Sequence, residues 1–239
     1  MRVAALCDIH GNLPALEAVL ADVESVGADV VVCVGDLVGG PFSSESFDRM
    51  AGPHDFRFVR GNADRTVVEG TDEHGVDWNE ERARLGDARL AEIASWPLTR
   101  ELDVDGLGRT LFCHAVPSSD DPIFTRITPD EDVLDLIGEV EADVLVCGHT
   151  HVQFDRRLPN GLRVVNAGRV GMPYEGRRGA FWTSLGPGVD LRCTSYDTEA
   201  AVATILERPG PDNDALARRL LEPPDPQAAT EFFESLRGA

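Results

Sequence analysis

The first apolar stretch, residues 3–7, is short, unbroken and bounded by polar positions, the pattern of a strand buried on both faces. Behind it the spacing changes. Leu13, Leu16, Val19, Leu20 and Val23 recur at helical intervals over 12–26, with Asn12 placed to cap the first turn, Pro14 tolerated inside it and Gly27 ending it. Residues 29–34 return to an unbroken apolar run that stops at Gly35-Asp36, and residues 56–59 form a third that stops at Gly61-Asn62. Strand, helix and strand within about thirty-five residues predict a βαβ unit with parallel strands.

Further along, residues 78–95 read as one amphipathic helix, charged on one face. Segments 102–104 and 109–112 flank Asp105-Gly106-Leu107-Gly108 as a hairpin, 130–140 is a helix and 144–147 a buried strand. A second hairpin joins 154–158 to 162–165 through Pro159-Asn160-Gly161, and 180–185 with 189–195 completes an antiparallel set around Gly186-Pro187-Gly188. The tail carries helices near 198–207, 212–221 and 227–236, with prolines between them that favour short separate helices. Two sheets face to face with helices outside accommodate this order, so we expect an α/β sandwich over 1–196 and a helical extension over 197–239 packed on it, either capping the sandwich or forming a dimer face.

Composition adds limits. A chain of 239 residues, 42% hydrophobic, can bury a sizeable core. No apolar run approaches the ~20 residues of a membrane helix, and the start is too short and too weakly basic for a signal peptide, so a cytoplasmic protein is expected. The net charge is −20, and the 22 basic residues are all arginine. Such a surface repels nucleic-acid backbones and anionic membranes, so neither is an expected partner, and an anionic substrate needs local positive charge that bound metal ions would supply. The five cysteines form no CxxC pair, and four end apolar runs, which fits reduced core residues.

The polar residues that follow the strands carry the chemistry. They are Asp8-x-His10, Gly35-Asp36, Gly61-Asn62-Ala63-Asp64, Cys113-His114 and Gly148-His149-Thr150-His151. Each taken alone has a plain reading as a turn residue or a core histidine. Five segments ending alike, at the strand edge where α/β sheets build their sites, point to one centre. Carboxylate, imidazole and amide oxygen without thiolate suit manganese, iron, zinc, cobalt or nickel. Seven candidate ligands exceed the three or four of a single catalytic ion, so two ions bridged by one aspartate are expected. Such a pair clamps a phosphoryl group and turns water into a nucleophile.

In this order the segments resemble the calcineurin-like metallophosphoesterase superfamily, whose pattern is DxH, GD, GNH(or C)D, GH and GHTH. The match runs from Val3 to about Gly171 and is nearest to the small bacterial and archaeal phosphodiesterase-type members, whose Asn-Pro-Gly-Ser-Val-Gly segment corresponds to Asn166-Ala167-Gly168-Arg169-Val170-Gly171. The resemblance implies a four-layer αββα sandwich of two mixed sheets. It implies that Asp8, His10 and His151 bind a first divalent ion, that Asn62, His114 and His149 bind a second, and that Asp36 bridges, manganese being the favoured metal. Asp64 would stand behind the ligands. Asp36, Asn62, Asp64 and His114 would carry the catalytic work, and Asn62 would meet the substrate. Arg169 departs from the pattern, standing where the family has a small residue; it is a candidate contact to a substrate phosphate, with a structural or surface arginine as the plain reading.

Ala63 departs from the pattern, because many members place a histidine there to protonate the leaving group, a contribution of ~10²–10⁴-fold. His74 is a candidate replacement from a loop. Cys113 stands where the family has glycine. The loss of the histidine favours a small phosphodiester substrate, with a phosphomonoester or phosphoprotein as the alternative. A third reading is a non-catalytic scaffold, as in the metallophosphoesterase-like subunit of the retromer coat. Homo-oligomers remain compatible with the tail.

Overall fold

Successive residues of the first strand face two different cores, and this alternation builds the layers. In the computed structural model, which describes residues 1–52, 54–70, 78–208 and 213–237, β1 (Val3–Leu6) turns Val3 and Ala5 inward. There they meet Val32 and Val34 of β2 (Val30–Val34), Phe112 of β5 (Gly108–Cys113) and Val146 of β6 (Val144–Cys147). Ala4 and Leu6 turn outward onto Leu16, Val19, Leu20 and Val23 of α1 (Leu13–Val26). All four residues of β1 are buried, which is why the sequence there shows an unbroken apolar run.

The first sheet also contains β3 (Asp55–Val59), β9 (Ala180–Leu185) and β10 (Val189–Thr194), in the order β10-β9-β1-β2-β3. β1, β2 and β3 run parallel, and β9 is antiparallel to both neighbours. The second sheet adds β4 (Thr99–Val104), β7 (Phe154–Arg157) and β8 (Arg163–Asn166), in the order β4-β5-β6-β8-β7, with β5, β6 and β8 parallel. Its outer face packs Leu145, Cys147 and Val164 on Val133 and Ile137 of α5 (Asp130–Ile137). The layers are thus helix, sheet, sheet, helix.

Two helices escape the sequence pattern. α2 (Ser43–Met50) buries Ser43 and Ser46 beside Phe47 and Met50, so half of its inner face is polar. α3 (Asn62–Glu69) begins on a candidate ligand, and its short run offers little periodicity. α4 (Asn79–Ala94) is not the single continuous helix expected over 78–95. Gly86 takes φ 75° and ψ 161°, a break that lets both Leu85 and Ile93 reach the core, while Arg89 Nη1 donates to the Leu85 carbonyl at 2.9 Å. The helix expected over 130–140 stops at Ile137 because Gly138 leaves the helical region.

The tail folds back on the sandwich. α6 (Thr198–Leu206) and α7 (Asn213–Leu221) enclose a small core with Phe42. α8 (Pro226–Ser235) is clasped by polar contacts: Thr125 and Thr128 Oγ1 donate to Glu234 at 2.6 and 2.7 Å, and Arg237 reaches Asp132 at 2.8 Å. Four cysteines are buried, Cys193 is partly so, and all five are free. Among the described residues no helix is long and apolar enough to cross a membrane.

Candidate metal centre

The parallel strands of both sheets end at one edge, and the chain there is bent into unusual conformations. Five non-glycine residues have positive φ among the described residues: Asp8, His10, Asp36, His149 and His151, at 45–64°. All five are ligand candidates from the sequence. Left-handed backbone at a non-glycine residue costs free energy and persists only where surrounding structure holds it, a signature of functional sites. Glycine allows the close approach beside it. A methyl on Gly148 would lie 2.8 Å from Asp8 Oδ2, besides colliding with Cys7.

The donor atoms form two groups that share one carboxylate. Asp8, His10 and His151 offer atoms lying within 4.8 Å of one another. His151 Nε2 stands 3.1 Å from Asp8 Oδ1, and His10 Nε2, buried and without a hydrogen-bond partner, stands 3.6 Å from the same oxygen. In the other group His114 Nε2 lies 3.0 Å from Asn62 Oδ1, and its ring is 5.0 Å from that of His149. Asp36 Oδ2 is 3.4 Å from both His10 Nε2 and His114 Nε2.

The protein fixes which nitrogens are free. His114 Nδ1 faces the Val34 carbonyl at 2.9 Å, and a carbonyl only accepts, so this nitrogen carries the proton. His149 Nε2 likewise donates to the Asp121 carbonyl at 3.0 Å, leaving Nδ1. His114 Nε2 then meets only oxygen acceptors, an arrangement that requires a proton or a cation between them. A spacing of 3.0 Å is close to that of adjacent ligands each about 2.1 Å from one divalent ion. The residues therefore fit a metal.

Electrostatics agree. Burial opposes charge on His114, but the carboxylates of Asp36 and Asp8 outweigh it and push the imidazole up to about 10. Burial and the His114 charge bring His149 down to about 4, and burial with the Arg169 charge brings His151 down to about 3, so both present neutral rings. Burial would raise Asp8, yet the neighbouring His151 and His10 hold it below the usual carboxylate range. Cys7 also lies near Asp8 and His114, but burial pushes its thiol well up and it donates to the Val34 carbonyl, so it is a neutral thiol and no ligand.

Asp64 is fully buried and accepts from the backbone N–H groups of Asp36, Leu37, Val38 and Gly61 at 2.8–3.2 Å. Burial and the Asp36 charge push it up to about 7 against those donors. It braces the loops that carry Asp36 and Asn62. Ala63 supports the same carboxylate, its N–H donating to Asp36 Oδ1 at 2.8 Å. Arg169 is only 6% exposed, with Nη1 3.0 Å from His151 Nδ1 and Nε unpartnered. His74 lies outside the described residues. Cys113 packs in the outer core of the second sheet.

Sequence reasoning missed several neighbours. Asn12, read only as a cap, also donates to the Gly171 carbonyl at 2.6 Å and so ties α1 to the segment carrying Arg169. Asn166 donates to the Gly148 carbonyl at 2.7 Å and braces the His149 turn. Tyr174 and Phe233 lie 5.1 and 5.0 Å from the His151 ring. Polar asparagines inside a motif could have been singled out; contacts from the tail had no local signal.

Two mixed sheets with carboxylates, an amide and imidazoles gathered at their common edge define the metallophosphoesterase fold. The chain belongs to the calcineurin-like phosphoesterase superfamily, whose domain model matches residues 1–184. It is similar to the uncharacterized protein MJ0912 of Methanocaldococcus jannaschii, 25% identical over 238 residues, covering 88% of this chain and 94% of the relative. Among solved structures it is similar to a metallophosphoesterase from Sphaerobacter thermophilus, with TM-score 0.74 and 23% identity over 93% of this chain and 98% of the other. It is also similar to hypothetical protein PH1004 from Pyrococcus horikoshii OT3, with TM-score 0.75 and 19% identity over 94% and 99%.

Proposed function

We propose that the protein is a two-ion phosphodiesterase acting on a small diester. The observation that carries this reading is the position of Asp36 Oδ2, 3.4 Å from an imidazole nitrogen of each donor group, so that one carboxylate joins them. Asp8, His10 and His151 would hold one divalent ion, and Asn62, His114 and His149 the other, with Asp36 between. When bound, such a pair supplies Lewis acidity toward the phosphoryl oxygens and acidifies water. Manganese, iron, zinc, nickel and cobalt all suit this donor set, with manganese favoured.

The chain's own residues supply placement. Asp64 keeps the Asp36 and Asn62 loops in register. Arg169, buried beside His151, adds a positive charge next to this donor group that would favour an anionic phosphoryl group. Ala63 offers no proton to a leaving group, which favours diesters and activated esters over ordinary monoesters. The charge of −20 disfavours polymeric nucleic acid.

The test is hydrolysis of bis-p-nitrophenyl phosphate and p-nitrophenyl phosphate side by side, with manganese, nickel, cobalt, magnesium or no metal. The expected result is metal-dependent cleavage that favours the diester and is lost in Asp36→Ala, with monoester turnover rising in Ala63→His. Faster cleavage of the monoester by the unaltered protein would refute the diester reading.

A further inference from the structure

Aromatic side chains crowd one of the two donor groups. The Phe233 ring of α8 stands edge-on to His151, at 88° and 5.0 Å between centroids, and Tyr174 lies 5.1 Å from the same imidazole. Phe232 follows at 5.6 Å from Phe233 and is 58% exposed, the most exposed large hydrophobic side chain among the described residues. Trp78 and His10, the other imidazole of this group, both border Gly39. A methyl on Gly39 would lie 3.4 Å from Trp78 Cη2 and 3.5 Å from both Ala63 Cβ and His10 Nδ1. The neighbours of the second group are polar instead. His149 donates to the Asp121 carbonyl, and Arg65 pairs with Asp120 and Asp121 beside it.

Arg169 links the aromatic wall to the phosphoryl position. Its guanidinium lies 5.6 Å over the Tyr174 ring while Nη1 touches His151, and its Nε–H is unpartnered although the side chain is buried. An anion drawn to this guanidinium charge beside His151 has Tyr174 and Phe233 alongside. The exposed Phe232 ring, one ring removed from His151 through Phe233, leaves apolar surface in water and gains most by stacking or edge contact with another ring.

We infer that the wall of Tyr174, Phe232 and Phe233 receives a flat aromatic substituent of the substrate, an aryl ring or a nucleobase, and that α8 thereby selects which diesters are cleaved. This rests on the diesterase reading above. It makes the tail part of the site, and it assigns the polar side of the centre to the other ester group.

The test uses calorimetry on the manganese-loaded full chain with two pairs of ligands. Phenylphosphonate is compared with methylphosphonate, and adenosine 5′-monophosphate with ribose 5-phosphate. The ring-bearing member should bind about tenfold more tightly in the unaltered protein, the scale of one aromatic contact. A margin in the first pair alone identifies a plain aryl group, and one in the second pair identifies a nucleobase. Phe232→Ala, at an exposed position that leaves the core intact, should reduce the margin, and Phe233→Leu should reduce it further, with Phe233→Tyr restoring it. Methylphosphonate affinity should not follow these changes. Equal binding of both members of each pair, or an undiminished margin in Phe232→Ala and Phe233→Leu, would overturn the inference. Bis-p-nitrophenyl phosphate hydrolysis on the same samples separates the two claims. Metal-dependent hydrolysis without a ring margin sinks only the aromatic wall, whereas a ring margin without hydrolysis keeps the wall as a ring-binding surface and sinks the diesterase together with the selection of diesters by α8.

Discussion

Both carboxylate oxygens of Asp64 accept backbone N–H groups, so this residue shapes the loops of Asp36 and Asn62 instead of meeting a ligand. Asp64→Asn would aim an NH₂ group at donors that need an acceptor. We expect it to lower manganese affinity by ~10–100-fold, the usual effect of losing a ligand's support, measured by metal titration. An unchanged affinity would deny Asp64 that role. At this scale the sequence was informative about residue types and their strand-end positions, since Asp8, His10, Asp36, Asn62, His114, His149 and His151 are brought together in space. It held no mark of the left-handed backbone at five of them, because aspartate and histidine tolerate that conformation without requiring it. Nor could it show that Arg169 is buried, a property of packing between segments distant in sequence.

Elements whose pattern is repeated were legible, and those that bury polar residues were not. α1 was readable because Asn12, Pro14 and Gly27 punctuate an apolar stripe, while α2 hides two buried serines. Asn12 serves both the cap, through Ala15 N–H, and the Gly171 carbonyl. Asn12→Ala should therefore destabilise the fold by about 2–4 kcal/mol, combining a lost cap with a stranded buried carbonyl, as read by denaturant unfolding. A loss under about 0.5 kcal/mol would show that the Gly171 contact contributes nothing, since the cap alone accounts for that much.

α8 depends on pH through Glu234. Burial would raise its carboxyl, but Thr125, Thr128 and Arg237 outweigh it and hold it below the ordinary glutamate range. A depressed folded value means the stabilisation is complete above the ordinary range and is lost as pH falls through the folded one. Arg237 keeps its charge throughout, and its other partner, Asp132, pairs with it at 2.8 Å. Glu234→Gln should be less stable than the unaltered protein by about 1 kcal/mol at neutral pH and equal to it in strong acid. An equal deficit at both extremes would assign the loss to packing.

At the scale of the whole molecule, successive residues of the central strands face two different cores, which dictates two sheets with a shared core, and the parallel strands bring their carboxyl ends to one edge. This much followed from the βαβ opening and the hairpins of the second half. Where the tail would lie did not, because α8 docks through a few polar contacts, the Phe233 ring and two small buried residues, which no periodicity announces. A net charge of −20 sets the molecule against itself. Thermal midpoints should rise as sodium chloride shortens the screening length to ~10 Å, and a fall would mean that the surface ion pairs contribute more than the repulsion.

A two-ion diesterase requires two metal positions joined by Asp36. Anomalous diffraction from crystals grown with manganese tests this most directly. Two peaks ~3.5–4 Å apart on either side of Asp36, one beside His10 and His151 and the other beside His114 and His149, are the predicted result. A single peak, or one at Cys7, would contradict it.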